Sequence, residues 1–239
     1  MKKILCVIYN YYPLIGGAEK QAFIINKKYI RNNISVDILT IRNQFSDKFK
    51  EIIDNQNIYR LGLPIKGIKT ITAVIHSLLF YLVKKKYVLI HLHQATIFTI
   101  LIGNLFKKKS NHLICKIGNS DTKFDLNFEN IKLRKTLLNY LIRQIDYFIA
   151  INQLIKKQLI SFDISKHKIL SIPNMVESQI QIKNKFKFDK NSIIFLTVSR
   201  LVPQKNIMFI LKLAKNFKEH KFFIKGYGEQ KDRIQSYIN

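Results

Sequence analysis

The chain has 239 residues, 41 of them Lys or Arg against 15 Asp or Glu, for a formal net charge of +26. With 47% apolar residues and few Gly or Pro, the composition excludes a disordered or collagen-like chain. Only two cysteines occur, Cys6 and Cys115, with no CxxC pair. That excludes a disulfide framework and reads as two buried, reduced thiols of a cytosolic protein.

In chain order, the apolar run 3–9 reads as a strand and turns at Gly16-Gly17 into a helical pattern over 18–31. Further strands are expected at 35–40, 87–92, 112–117, 147–151 and 169–172, and helices at 68–85, 96–107, 133–144 and 153–161. Several strands are apolar on both faces, the pattern of parallel strands covered by helices. After Pro173 comes a polar, Lys-rich passage without periodicity. A fresh alternation follows, with strands at 193–198 and 221–225 and helices at 207–220 and 229–237. The fold class expected is α/β. One complete Rossmann-like parallel-sheet domain of about six strands over 1–172 leads through a linker at 173–190 into a partial second domain at 191–239. Two strands and two helices leave an open sheet edge and a thin core, so the second unit reads as the first part of a larger domain.

The run 4–9 is too short for a signal-peptide core. The longest apolar stretches, 71–83 and 95–106, fall short of the roughly 20 residues that span a bilayer. A soluble protein, or one lying on a membrane surface, is expected. The charge itself suits phosphate backbones, an anionic membrane face, or simple Lys-rich drift. No RNP-type aromatic motif, zinc-ligand spacing or helix-turn-helix pattern is evident, so charge alone does not make this a nucleic-acid-binding protein.

Five motifs stand at strand ends. In Tyr12-Pro13-Leu14-Ile15-Gly16-Gly17-Ala18-Glu19, a Gly pair opens the first helix, where backbone N–H groups meet anions. A tight turn is the plainer reading, and the absence of GxGxxG argues against a nicotinamide or flavin enzyme. In Ser199-Arg200-Leu201-Val202-Pro203-Gln204-Lys205-Asn206, two cations flank a strand-to-helix loop and suit a diphosphate. A solvated basic loop is the alternative. Phe223-Ile224-Lys225-Gly226-Tyr227-Gly228-Glu229 places Gly-x-Gly between strand and helix, either for a nucleotide or for a turn. His91-Leu92-His93 sets two imidazoles on one strand face, as a polar cleft pair or a structural pair; no third metal ligand has telling spacing. Lys116-Ile117-Gly118-Asn119-Ser120-Asp121 closes another strand with short polar groups able to hydrogen-bond a sugar.

The strings YPLIGGAEK, IPNMVE, SRLVPQKN and KGYGE resemble, in order and spacing, the family 4 retaining glycosyltransferases. SRLVPQKN is the most specific, close to that family's G/S-R-L-x-x-x-K-G loop. The resemblance implies a GT-B fold, with the acceptor domain first and the donor domain second. It implies that Arg200 and Lys205 hold the donor diphosphate, that Gly226 and Gly228 line the nucleotide site, that Gly16 and Gly17 face the donor from the first domain, and that Asn174 lies at the domain crossover. The family's cleft His is replaced by Gly118-Asn119-Ser120, as in capsule and O-antigen members, which leaves His93, Asn119 and Ser120 as cleft candidates. The expected activity is retaining transfer from a nucleoside diphosphate sugar to a glycan or lipid-linked acceptor of bacterial surface polysaccharide, without metal or other cofactor. The expected place is the cytoplasm or the inner membrane face. The family's later Glu-x7-Glu motif does not occur before Asn239, so little transfer is expected from this chain by itself. A non-catalytic or partner-dependent half-transferase is the first rival reading, and a basic nucleic-acid-binding α/β protein the remote one.

Overall fold

The computed structural model describes residues 2–14, 16–83, 86–120, 125–126, 135–176 and 192–238. Ile15, Lys84, Lys85, Asp121, residues 133 and 134 of the helix expected at 133–144 and most of the expected linker lie outside them. The chain divides into two compact units, Met1–Ser178 and Gln179–Asn239.

The first unit is built on an eight-stranded sheet: β1 (Lys3–Ile8), β2 (Ser35–Ile41), β3 (Lys50–Ile53), β4 (Gln56–Leu61), β5 (Tyr87–His93), β6 (Ser110–Ile117), β7 (Tyr147–Ala150) and β8 (Ile169–Ser171). Their order across the sheet is β3-β4-β2-β1-β5-β6-β7-β8. All neighbours pair in parallel except β3 with β4. The helices are α1 (Gly17–Arg31), α2 (Lys69–Val83), α3 (Ile97–Lys107), α4 (Lys135–Arg143) and α5 (Gln153–Ser161).

Alternation along the strands divides the core in two. Leu5 and Val7 face a large cluster that takes Phe80 from α2, Phe98 and Phe106 from α3, Leu138 from α4 and Leu159 from α5. Cys6 and Ile8 face a smaller cluster with Ala22 of α1, Ile38 and Ile58. Both cysteines are buried and unpaired, and burial pushes the Cys6 thiol up to about 12, so neither is a thiolate nucleophile.

Helix ends follow local chemistry. α1 stops at Asn33, whose φ of 58° allows the Ile34 amide to reach back to the Tyr29 carbonyl. α5 ends likewise at Asp163, with Ile164 bonded to Leu159. Thr96 and Thr99 cap α3 reciprocally. Among the buried polar groups, Asp37 carries the most. It accepts from Lys3 at 2.9 Å, from the Tyr87 hydroxyl at 2.9 Å and from Asn57 at 3.2 Å.

Two findings depart from the sequence reading. The region 42–67 contains a β-hairpin, β3–β4, that hydropathy did not reveal; Asp54 and Asn55 both adopt positive φ and turn it. The first sheet therefore has eight strands rather than about six.

The second unit has β9 (Ile194–Val198) and β10 (Lys221–Lys225), paired in parallel, with α6 (Ile207–Asn216) and α7 (Lys231–Ile238). Among its described residues the buried apolar side chains are Leu201, Ile207, Leu211 and Ile234. Helix α6 ends at Asn216, short of His220, where Phe217 leaves helical geometry and stacks on the His220 ring. Helix α7 starts at Lys231 rather than Glu229, because the Gln230 amide is bonded to the Leu201 carbonyl.

Candidate functional site

In both units the sequence motifs lie where ligands of open α/β sheets bind, just past the carboxyl ends of parallel strands. In the second unit β9 runs out into Ser199 and Arg200, makes a short 3-10 turn at Pro203–Lys205, and enters α6 through Asn206. Asn206 sits in the left-handed region, φ 47° and ψ 45°, and its side chain caps nothing. The Phe209 amide donates to the Asn206 carbonyl, which leaves the Ile207 and Met208 amides ahead of it to meet an external acceptor. Arg200 and Lys205 are both exposed on this loop, and among the described residues neither forms an ion pair. A planar guanidinium, a mobile ammonium and a helix N-terminus on one loop are the donors a diphosphate needs.

What holds that loop is the second glycine motif. The Ser199 amide donates to the Lys225 carbonyl at 3.1 Å, and the Leu201 amide to the Tyr227 carbonyl at 2.8 Å. The Gln230 amide closes the set on the Leu201 carbonyl at 3.0 Å. A Cβ on Gly226 would lie 1.9 Å from the Ser199 carbonyl oxygen, and one on Gly228 would lie 2.5 Å from that of Leu201. Gly228 also has a φ of 152°. Both glycines are thus required by backbone crossing backbone. Beside the nucleotide role implied by the resemblance, this gives them a role inside the protein: they fix the register of the loop bearing Arg200.

In the first unit Gly16 is the N-cap of α1, and the Glu19 carboxylate folds over it, 2.3 Å from where a Cβ would stand. The carboxylate partly neutralises the positive end of the helix, so this end is a poorer anion site than that of α6. Gly17 has open space around its Cβ position. Asn119 and Ser120 follow β6. Asn119 is exposed and donates to Asp125 Oδ1 at 2.7 Å, while the Gly118 amide donates to Asp125 Oδ2 at 2.7 Å. Burial holds the Asp125 carboxyl above its ordinary range despite these bonds. Asp121, the last residue of this motif, lies outside the described residues.

His93 is not on an open surface. It is 1% exposed and stacks on His91, with ring centroids 4.1 Å apart. Tyr29 of α1 meets His91, its hydroxyl 3.3 Å from His91 Nδ1 and the rings edge to face. Lys116 lies beside His93 in the β5–β6 register. Burial, with the Lys116 charge second, pushes the His91 imidazolium down to about 3; burial and the His91 and Lys116 charges push His93 down as well. Burial brings Lys116 to about 8. Both imidazoles are therefore neutral at physiological pH, able to hydrogen-bond but not to serve as charged acids. Among the described residues no third His, Cys, Asp or Glu completes a metal-holding group with them.

Asn174 is exposed just after β8, and its neighbour Met175 is tied to α1 by two bonds. The Gln21 amide donates to the Met175 carbonyl at 2.7 Å and accepts from its N–H at 2.9 Å. Gln21 was not singled out in the sequence, since one Gln on an amphipathic helix carries no signal.

No family model and no curated protein matches the sequence. Solved structures do match. The lipopolysaccharide outer core galactosyltransferase WaaB is 20% identical, covering 98% of this chain and 64% of its own, with a TM-score of 0.62. TarM from S. aureus, solved with Fondaparinux, alpha-GlcNAc-glycerol and UDP, is 15% identical over 100% of this chain and 75% of its own, TM-score 0.64. HepE from Anabaena, solved with UDP and glucose, is 16% identical over 100% and 65%, TM-score 0.63. The chain thus spans 64% of the length of WaaB and 65% of that of HepE. Over its own length it has the GT-B fold of these glycosyltransferases.

Proposed function

We propose that the chain takes a nucleoside diphosphate sugar on its second unit and serves retaining transfer of that sugar to a glycan or lipid-linked acceptor in bacterial surface polysaccharide synthesis. The observation that carries this reading is the Ser199–Asn206 loop: Arg200 and Lys205 are exposed beside the uncapped start of α6, in a register set by backbone bonds to the Gly226–Gly228 loop. Such a loop stabilises negative charge as it builds on a leaving diphosphate, with fixed cations in the place a metal ion would otherwise fill. Two of the similar structures hold UDP, which supports the donor class. On the first unit Gly17, Asn119 and Ser120 are the groups proposed to meet the sugar or acceptor. A lipid-linked acceptor would bring the protein to the inner, anionic face of the membrane.

Calorimetry with UDP on this chain tests the donor site. Arg200→Ala is expected to weaken binding by about 1.5–3 kcal/mol, the range for a charge-assisted hydrogen bond. Unchanged affinity in both Arg200→Ala and Lys205→Ala removes the assignment. The small apolar cluster among the described residues of the second unit favours a second reading, a half-transferase that binds donor and turns over only with a partner chain. Turnover by the purified chain without any partner excludes it.

A further inference from the structure

Helix α2 is inverted relative to an ordinary surface helix. Its small or polar residues Ala73 and Ser77 are buried with Phe80, while Ile71, Ile75, Leu78, Leu79, Leu82 and Val83 are exposed. The spacing of these six puts them on one arc, and no charged residue falls between Lys69 and Lys84. The exposure is large, reaching 75% at Leu82 and 80% at Val83. Ile65 and Ile68 extend the same patch into the turn before the helix. A contiguous apolar surface of this kind marks an interaction site.

Charge identifies what it meets. No Asp or Glu occurs between Asp54 and Asp121, a stretch that holds Lys66 and Lys69 at the start of α2, Lys84-Lys85-Lys86 directly after it, and Lys107-Lys108-Lys109 after α3. Lys86 and Lys108 are exposed. Lys109 folds onto the last turn of α2, its ammonium on the Tyr81 carbonyl and 4.2 Å from the Tyr81 ring centroid. Lys69 turns inward to the Tyr9 ring, but Lys66 before the helix and Lys86 and Lys108 beyond it are exposed, and exposed lysines beside an apolar arc suit anionic lipid headgroups. A second copy of this chain would bring like charges together at a net +26 per molecule. At 15 residues α2 is about 22 Å long, short of the roughly 30 Å hydrocarbon layer. Among the described residues no helix is long and apolar enough to cross a membrane.

From this we infer that α2 is an in-plane docking helix for an anionic lipid bilayer, with its outward arc at the acyl boundary and the flanking lysines on the headgroups. The inference rests on the membrane part of the proposed function and names the surface that performs it; the donor loop is separate in sequence and lies in the other unit. Flotation of the chain with phosphatidylcholine vesicles, with and without phosphatidylglycerol, tests it. The chain is expected to float only with the anionic vesicles and to lose binding as salt rises. Leu79→Gln with Leu82→Gln is expected to cut partitioning at least about tenfold, with the circular dichroism melt unchanged because both side chains already face outward. Should the pair misfold, Leu82→Gln alone carries the test. No flotation with anionic vesicles, or equal flotation after the leucine changes, overturns the inference. So does self-association of the native chain that the same changes abolish while vesicle binding is absent. UDP calorimetry on the leucine variant keeps the readings apart: flotation lost with UDP affinity intact supports the docking helix, whereas UDP affinity absent from the native chain sinks the donor reading alone.

Discussion

The two units use one device, a parallel strand running through a glycine-bearing loop into a helix, and use it differently. At Gly17 in the first unit the space beside the backbone is open. At Gly226 and Gly228 in the second, that space is filled by the Ser199–Leu201 backbone. The first unit draws its stability from eight strands and two apolar clusters, and its loop is spare. The second has two strands and four buried apolar side chains among its described residues, and its loops brace each other. A glycine in a motif string is thus no evidence of ligand approach until its neighbours are known.

Three measurements break or sharpen this contrast. The largest effect is expected at Asp37. Asp37→Ala strands a buried strand position beside the Lys3 ammonium and the Tyr87 hydroxyl, and should cost the first unit about 3–5 kcal/mol in urea unfolding. A loss under 1 kcal/mol would show that its bonds are replaced by water.

Next comes acid. His91 and His93 bind protons more weakly folded than unfolded, so the unfolded state takes up more protons as pH falls below about 6.5. Stability of the first unit is expected to be complete above that pH. It should fall as pH drops below that point, because the unfolded imidazoles take up protons that the buried, folded pair refuses. His91→Gln should flatten the slope, and an unaltered pH profile would show that the slope arises elsewhere.

The smallest effect on stability is expected at Gly17. Gly17→Val has room for its side chain, and its cost should stay within the roughly 1 kcal/mol that separates residues at a helix start. Sugar transfer, assayed with the second unit's donor site intact, should nonetheless fall. A valine variant that unfolds would show that the open space is needed by the fold, not by a ligand.

Much of the fold was legible because its strands are apolar on both faces. Such runs as Ile4–Ile8 and Leu113–Ile117 admit few readings other than a covered parallel sheet. The hairpin was not legible. Strand β4 carries Gln56 and Arg60, both buried, and neither looks like core in a hydropathy pattern. Their partners are distant in sequence: Tyr11 donates to Gln56 at 2.5 Å, and Arg60 donates to the Tyr12 carbonyl at 2.6 Å and pairs with Glu51. The turn itself uses Asp54-Asn55 without glycine, a weaker signal than Asn-Gly.

Of the candidate site, the loop positions of Arg200, Lys205, Gly226 and Gly228 follow from strand-then-helix patterning. The one-faced pairing of His91 and His93 follows from alternation. Their burial does not, because it depends on elements distant in sequence: β1 and β6 flank their strand, and Tyr29 of α1 meets His91. The bonds of Gln21 to Met175 were equally invisible, since a side-chain amide gripping a backbone 154 positions away leaves no local trace.

The crossing of loops in the second unit has a mechanical side. Leu201 has its amide held by Tyr227 and its carbonyl by Gln230, the residue that precedes α7. Its side chain packs in one cluster with Ile234 of α7. The residue between the two cationic positions is therefore geared to a helix on the far side of the loop. A substitution that shifts α7 is expected to shift the Leu201 peptide with it.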